Sequence, residues 1–204
     1  MRLGLFGGTF DPVHNGHIAI ASRIRDRLHL DQVWFLPAGQ PWMRRSEPIS
    51  ERIHRRTMVE LIIRNDSGFA LCDVELNRPG DTYTVETLEQ LYPTRPGDDW
   101  FFIVGSDAAA GFARWKQPAR ILELATLVVA ARPGYHLVDV DALADAVPGA
   151  RTRVVVVEPA LVDVSASHIR QMVGEGASIA GLVPQEVAEY IEAHGLYKSK
   201  TRSE

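Results

Sequence analysis

Short apolar stretches alternate with longer segments of helical period along almost the whole chain, the pattern of an α/β fold. The strand candidates are residues 2–7, 32–36, 69–76, 100–105, 126–131 and 152–158. Three of them, built on Leu3-Gly4-Leu5-Phe6, Phe101-Phe102-Ile103-Val104 and Val154-Val155-Val156-Val157, are apolar without alternation, as expected of strands covered on both faces. Between them, Ile20, Ile24 and Leu28, then Leu61 and Ile62, then Val85, Leu88, Leu91 and Tyr92 recur at helical spacing. Pro118 and Pro184 suit a first helical position, and Gly195 suits the end of a last helix carrying Val187, Tyr190 and Ile191. The expected architecture is a Rossmann-like doubly wound parallel sheet with helices on both faces, in one domain over residues 1–197 with a frayed tail over 198–204.

Composition supports a globular reading. The 204 residues are 46% hydrophobic and 24% charged, enough for a substantial core and too apolar for extended disorder. No run of eighteen apolar residues exists, and the N-terminal MRLGLFGGTF has no signal-peptide pattern. The single cysteine, Cys72, makes no internal disulfide, so a cytoplasmic location is expected. A net charge of −4 argues against nucleic acid as the main partner. Arg44, Arg45, Arg52, Arg55 and Arg56 nevertheless crowd one short window, either as a receptor for a small anion or as a solvated face.

In an open parallel sheet, ligands bind beyond the carboxyl ends of the strands. The segments there are Gly7-Gly8-Thr9-Phe10-Asp11-Pro12, Gly105-Ser106-Asp107, Arg132-Pro133-Gly134 and Ser165-Ala166-Ser167-His168-Ile169-Arg170. Small, polar and cationic residues thus converge on one rim, which suits a phosphate-bearing nucleotide. The first segment continues into Val13-His14-Asn15-Gly16-His17. It lacks the Lys-Ser/Thr pair of a P-loop and the glycine spacing of the dinucleotide fingerprint. His14 and His17 near Asp11 could pair on a metal, but no third ligand follows at usual spacing. The preferred reading places a phosphate at Gly7, Gly8 and the unpaired N–H groups of a helix beginning near Asn15 or Gly16. His14 and His17 would then donate to it as its charge rises during reaction.

The run G-G-T-F-D-P-x-H-x-G-H resembles the signature of the H-x-G-H nucleotidyltransferases. The segments Phe35 to Trp42, Thr82-Tyr83-Thr84-Val85-Glu86-Thr87-Leu88, Gly105-Ser106-Asp107 with Trp115, and Val164 to Arg170 extend the resemblance to the bacterial nicotinate-nucleotide adenylyltransferases. That resemblance implies transfer of AMP from Mg2+-bound ATP to nicotinate mononucleotide, releasing pyrophosphate and forming deamido-NAD. It implies catalytic roles for His14, His17 and Arg170, and ATP contacts from Gly7, Gly8, Thr9, Phe10, His17, Gly105, Asp107, Arg132, Ser165, Ser167 and Arg170. Tyr83, Thr84 and Trp115 would hold the pyridine end, with a nicotinate carboxylate read by backbone N–H groups. No resident metal is implied beyond the Mg2+ that accompanies ATP, and no oligomeric state is fixed, a homo-oligomer being compatible with it.

One departure matters. Many relatives carry a Pro-Pro-His step and a basic residue after the second strand, whereas this chain reads Gln40-Pro41-Trp42-Met43-Arg44-Arg45, so Arg44 and Arg45 are both candidates for a substrate-phosphate cation. Trp42 suits either a lid or packing on its own domain. The rival readings are a sibling enzyme acting on nicotinamide mononucleotide or phosphopantetheine, or a nucleotide sensor without catalysis. The Thr-Tyr-Thr and Gly-Ser-Asp segments weigh against the pantetheine enzyme, and the intact histidines against a sensor.

Overall fold

A computed structural model describes residues 1–41, 48–131, 138–158 and 164–198. Six strands form one sheet: β1 (Arg2–Gly8), β2 (Gln32–Pro37), β3 (Phe69–Leu71), β4 (Asp99–Gly105), β5 (Thr126–Ala130) and β6 (Val154–Val157). Their order is β3-β2-β1-β4-β5-β6, and every neighbouring pair is parallel. The chain winds outward from β1 in one direction, then returns to β4 and winds in the other, so the sheet's direction of growth reverses between β1 and β4.

The helices are α1 (Asn15–Arg27), α2 (Arg52–Ile63), α3 (Thr84–Leu91), α4 (Ser106–Ala109), α5 (Pro118–Leu124), α6 (Val140–Ala146), α7 (Ala150–Arg153), α8 (Ala166–Gly174) and α9 (Gln185–Ala193). Successive strand residues supply two separate cores. Leu3, Leu5, Phe102, Val104, Leu127 and Val129 pack with Val85, Leu88, Ile121 and Leu143 from α3, α5 and α6. Phe6, Phe35, Phe101, Ile103 and Val128 pack with Ile24, Met58, Ile169 and Val187 from α1, α2, α8 and α9. Apolar strands without alternation are thus apolar because both faces are covered, which is the doubly wound arrangement expected.

Several boundaries differ from the sequence pattern, each for a local reason. The third strand stops at Leu71 instead of Leu76. Beyond Cys72, whose N–H still donates to the Phe35 carbonyl, the chain turns through Asn77 N–H to Asp73 O and Arg78 N–H to Glu75 O. Leu76 is buried in that turn, so its apolar character mimics a strand. The sixth strand begins at Val154 because residues 150–153 close into α7. Pro184 is the N-cap of α9 rather than its first residue. On α2 the fully or nearly buried residues are Arg55, Met58, Val59 and Ile62, with Leu61 only packed against their edge.

Candidate active site

The buried polar and charged residues among those described are Asp11, His14, Arg55, Glu75, Thr82, Thr87 and Ser106. All follow β1, β3 or β4 or lie in the α2 and α3 segments that cover the same rim. Buried polar and charged side chains gathered at one rim mark where a fold has placed its ligand chemistry, because each such group costs stability unless it is bonded. A cleft of about 760 Å³ opens at that rim.

The cleft floor is the turn after β1. Gly7 and Gly8 lie at the end of the strand with their missing side chains occupied by aromatic rings: a Cβ on Gly7 would approach Phe102 to 2.9 Å, and one on Gly8 would approach Phe10 to 2.9 Å. These glycines therefore admit Phe10 and Phe102 beneath the floor while leaving the backbone open above. Phe10 holds a left-handed φ of 51°, and the Asp11–Pro12 peptide is cis.

His14 is the N-cap of α1, and the two histidines cap it reciprocally. His17 N–H donates to His14 Nδ1 at 3.3 Å, and His14 N–H donates to His17 Nδ1 at 3.2 Å. Each Nδ1 is thereby an acceptor, so in the neutral ring the proton resides on Nε2. The rings stack at 3.7 Å between centroids, and His17 packs edge-on against Phe10 at 5.0 Å. Gly16 makes room for this stack, since a Cβ there would meet His14 Nδ1 at 3.0 Å. Both imidazoles line the cleft.

This arrangement narrows the set of α1 N–H groups that could face a phosphate. Asn15 N–H donates to Leu182 O at 3.0 Å, and His17 N–H is taken by the cap. Two of the first three donors of α1 are spent internally, and the two imidazoles line the cleft beside them. Asp11 and the histidine Nδ1 atoms are likewise engaged. Asp11 Oδ2 accepts from Ser50 N–H at 3.0 Å and Oδ1 from Tyr197 O–H at 2.6 Å.

Across the cleft, Ser165 caps α8 by accepting from His168 N–H at 3.2 Å. Ser165, Ser167 and Arg170 line the wall, and Arg170 Nη1 donates to the Asp11 carbonyl at 2.7 Å. The guanidinium thus joins the two turns and presents its remaining donors beside the cleft. Gly105 and exposed Asp107 form the lip after β4, with the Asp107 carboxylate folded over Gly105 where a Cβ would stand.

Toward β2 and β3 the lining becomes Leu36, Ala38, Pro41, Glu75, Thr82 and Thr84, with Trp115 closing it from beyond β4. Thr84 is the first residue of α3, a helix without a side-chain N-cap. Trp115 is a core residue packed on Phe112 at 5.3 Å and Phe102 at 6.1 Å that also reaches the cleft; its Nε1–H has no partner among the described residues. Of the residues singled out in the sequence, the cleft brings together Gly7, Gly8, Thr9, Phe10, His14, His17, Thr84, Gly105, Asp107, Trp115, Ser165, Ser167 and Arg170. Tyr83 does not line it: its ring lies under Lys116 Nζ at 4.6 Å, with its hydroxyl near Asp81. Trp42, Arg44, Arg45 and Arg132 lie outside the described residues.

Arg52, Arg55 and Arg56 have a different use from the anion receptor considered above. Arg55 is buried and donates to four carbonyls: Ser50 at 3.1 Å, Thr9 at 3.0 Å, Ala38 at 2.6 Å and Gly39 at 3.1 Å. Burial lowers its pKa from the ordinary value, and the Asp11 charge opposes that shift. Arg52 donates to the Leu76 and Arg78 carbonyls, and Arg56 pairs with Glu60. The burial of Arg55 escaped the sequence reading although a signal was present: it precedes Met58, Val59 and Ile62 by three, four and seven positions and so shares their buried face. Glu75 carried no such signal. Its carboxylate accepts from Thr87 O–H at 2.8 Å, and burial pushes its pKa above the usual carboxylate range against the opposing bonds from Thr87 and Thr82.

Comparison with known proteins shows which family the chain belongs to. A family model described as cytidylyltransferase-like matches residues 5–172. A probable nicotinate-nucleotide adenylyltransferase of Thermomicrobium roseum is 43% identical over 97% of this chain and 92% of its own length. The chain belongs to the cytidylyltransferase-like family, among its nicotinate-nucleotide adenylyltransferases. A relative of the same description from Frankia alni is also 43% identical, over 95% of this chain and 99% of its own. Among solved structures, the Plasmodium falciparum nicotinic acid mononucleotide adenylyltransferase complexed with NaAD superposes with a TM-score of 0.79 over 96% of this chain and 97% of that one. At 19% identity that likeness shows the shared fold. No helix among the described residues is long and apolar enough to cross a membrane.

Proposed function

We propose that this chain transfers the adenylyl group of ATP to the phosphate of nicotinate mononucleotide. A phosphate oxygen of the mononucleotide attacks the α-phosphorus, the bond from that phosphorus to the β-phosphate bridging oxygen breaks, and pyrophosphate leaves with the electron pair. Deamido-NAD is the other product. No covalent enzyme intermediate and no net proton transfer are required, so the protein's task is position and charge.

The observation that carries this reading is the reciprocal histidine cap. It leaves Nε2 as the protonated nitrogen of each neutral imidazole, and both rings line the cleft in which charge would develop on the transferring phosphoryl group. Ser165, Ser167 and Arg170 then bind the triphosphate, Arg170 by its two-pronged guanidinium. Mg2+ enters as part of the co-substrate. Among the described residues no three His, Cys, Asp or Glu side chains are grouped to cage an ion.

The pyridine end belongs near Thr84 and Trp115. Backbone N–H groups there would bind a nicotinate carboxylate, whereas nicotinamide would bring its own NH2 against those donors. The test is pyrophosphate release from Mg-ATP with nicotinate mononucleotide, nicotinamide mononucleotide or phosphopantetheine as acceptor. The first is expected to react much the fastest. Equal rates on the two pyridine nucleotides would overturn the carboxylate argument, and preference for phosphopantetheine would overturn the assignment.

A further inference from the structure

Asp11 is only 3% exposed, lines the cleft, and stands three residues before His14. Its hydrogen bonds tie together distant parts of the chain. Oδ2 accepts from Ser50 N–H at 3.0 Å, the backbone carbonyl accepts from Arg170 Nη1 at 2.7 Å, and Oδ1 accepts from the hydroxyl of Tyr197, 186 positions away, at 2.6 Å. Arg55, the nearest buried cation, directs its four bonds to carbonyls and none to this carboxylate. The phenol therefore supplies one of the two hydrogen bonds that the described residues give to the Asp11 carboxylate oxygens.

The position of that phenol is itself fixed. Beyond α9 the chain turns at Gly195, with φ of 59°, and Tyr197, with φ of 63°, while Leu196 N–H closes back on Ile191 O at 3.0 Å. Leu196 and Tyr197 pack on the core shared by α1, α2, α8 and α9. Burial and the adjacent Asp11 charge push the phenol's pKa upward, which keeps it a donor throughout the neutral range.

From this we infer that Tyr197 is a positioning residue: its hydroxyl holds the Asp11 turn, and through that turn the His14–His17 pair, in reacting geometry. Resting on the adenylyl-transfer reading, the inference adds a requirement that the C-terminal segment be docked for the site to be aligned. Tyr197 touches neither reacting atoms nor the imidazoles, so its effect falls on turnover and not on nucleotide affinity.

The test compares the full-length protein with Tyr197→Phe, which keeps the ring and removes the donor. We expect kcat for nicotinate mononucleotide and Mg-ATP to fall by about ten- to a hundredfold, the scale of a small misplacement, with both KM values changed less than about threefold. Asp11→Asn is expected to show a similar loss, and the losses in the double variant should fall short of their product because both act through one contact. Tyr190→Phe, on α9, serves as the control: it breaks the 2.9 Å bond to His54 of α2 without touching the turn, and kcat should hold. Without any substrate, the imidazole Cε1–H resonances of His14 and His17 should shift in Tyr197→Phe while those of His54 and His194 stay. Wild-type turnover in Tyr197→Phe, multiplying losses, an equal loss in Tyr190→Phe, or unmoved His14 and His17 resonances would each overturn the inference. A wild-type protein inactive on nicotinate mononucleotide would instead overturn the substrate reading, and the resonances would still decide the role of Tyr197.

Discussion

Each imidazole at the cleft floor does two jobs with two nitrogens, and the jobs can be separated. Nδ1 of His17 caps α1 by accepting from His14 N–H, while Nε2 is the atom to which the phosphate-donor role is assigned. Asparagine at this position retains an acceptor close to where Nδ1 stood and has nothing at Nε2. His17→Ala and His17→Asn should therefore both lower kcat by about a hundredfold or more, the cost of one lost transition-state donor, with smaller effects on the KM for ATP. Only the alanine variant should also lose the cap, about 1 kcal/mol of stability by denaturant titration. Equal kcat in wild type and His17→Asn would refute the donor role. Gly39 makes a different residue-scale demand. A Cβ there would press into the Glu75 backbone carbonyl and the Thr82 methyl at 2.9 Å. Backbone cannot swing aside as a side chain can, so Gly39→Ala should cost about 1–3 kcal/mol, measured in urea, and displace the turn that carries Thr82 and Thr84.

At the scale of elements, the site is a set of turns that need a common anchor, and Arg55 provides it from α2. Its guanidinium spans carbonyls of the turn after β1, the turn after β2, and the segment entering α2. Arg55→Met would leave buried carbonyls unbonded, and a loss of roughly 3–5 kcal/mol in urea denaturation is expected, with activity falling even where the fold survives. Arg55→Lys should recover only part, because a single ammonium cannot span four carbonyls set around a planar fork. A variant as stable as wild type would show that water replaces these bonds. The same residue marks where sequence reading reaches its limit. The sheet was legible because burial on both faces leaves strands apolar throughout, and the histidine turn because glycine and histidine at a strand end have few purely structural uses. Arg55, Glu75 and Tyr197 carry side chains that usually face water, and only their neighbours in space reveal otherwise. Periodicity could have placed Arg55 on the buried face of α2; no local pattern brings Tyr197 to Asp11.

For the whole molecule, concentrating buried polar groups at one rim makes stability depend on pH through that rim. Glu75 is the clearest case. Burial raises its folded pKa above the unfolded value near 4.5, the bonds from Thr87 and Thr82 and the Arg78 charge opposing the shift without cancelling it. The folded state then holds the proton more tightly than the unfolded state. The resulting stabilisation is fully present below the unfolded pKa and is lost as pH rises through the folded one. Glu75→Gln keeps an acceptor for Thr87 and cannot ionise. The wild-type minus Glu75→Gln difference in thermal midpoint should therefore be most favourable to wild type near pH 4 and decline as pH climbs toward neutrality. Subtracting the variant removes contributions from titrating groups elsewhere. A flat difference would mean that Glu75 titrates alike in both states, and a rising one that its hydrogen bonds outweigh its desolvation. Adding saturating Mg-ATP should raise both midpoints, since a ligand that binds only the folded state stabilises it, and the pH slope of the difference should persist if Glu75 lies on the pyridine side of the cleft, away from the triphosphate.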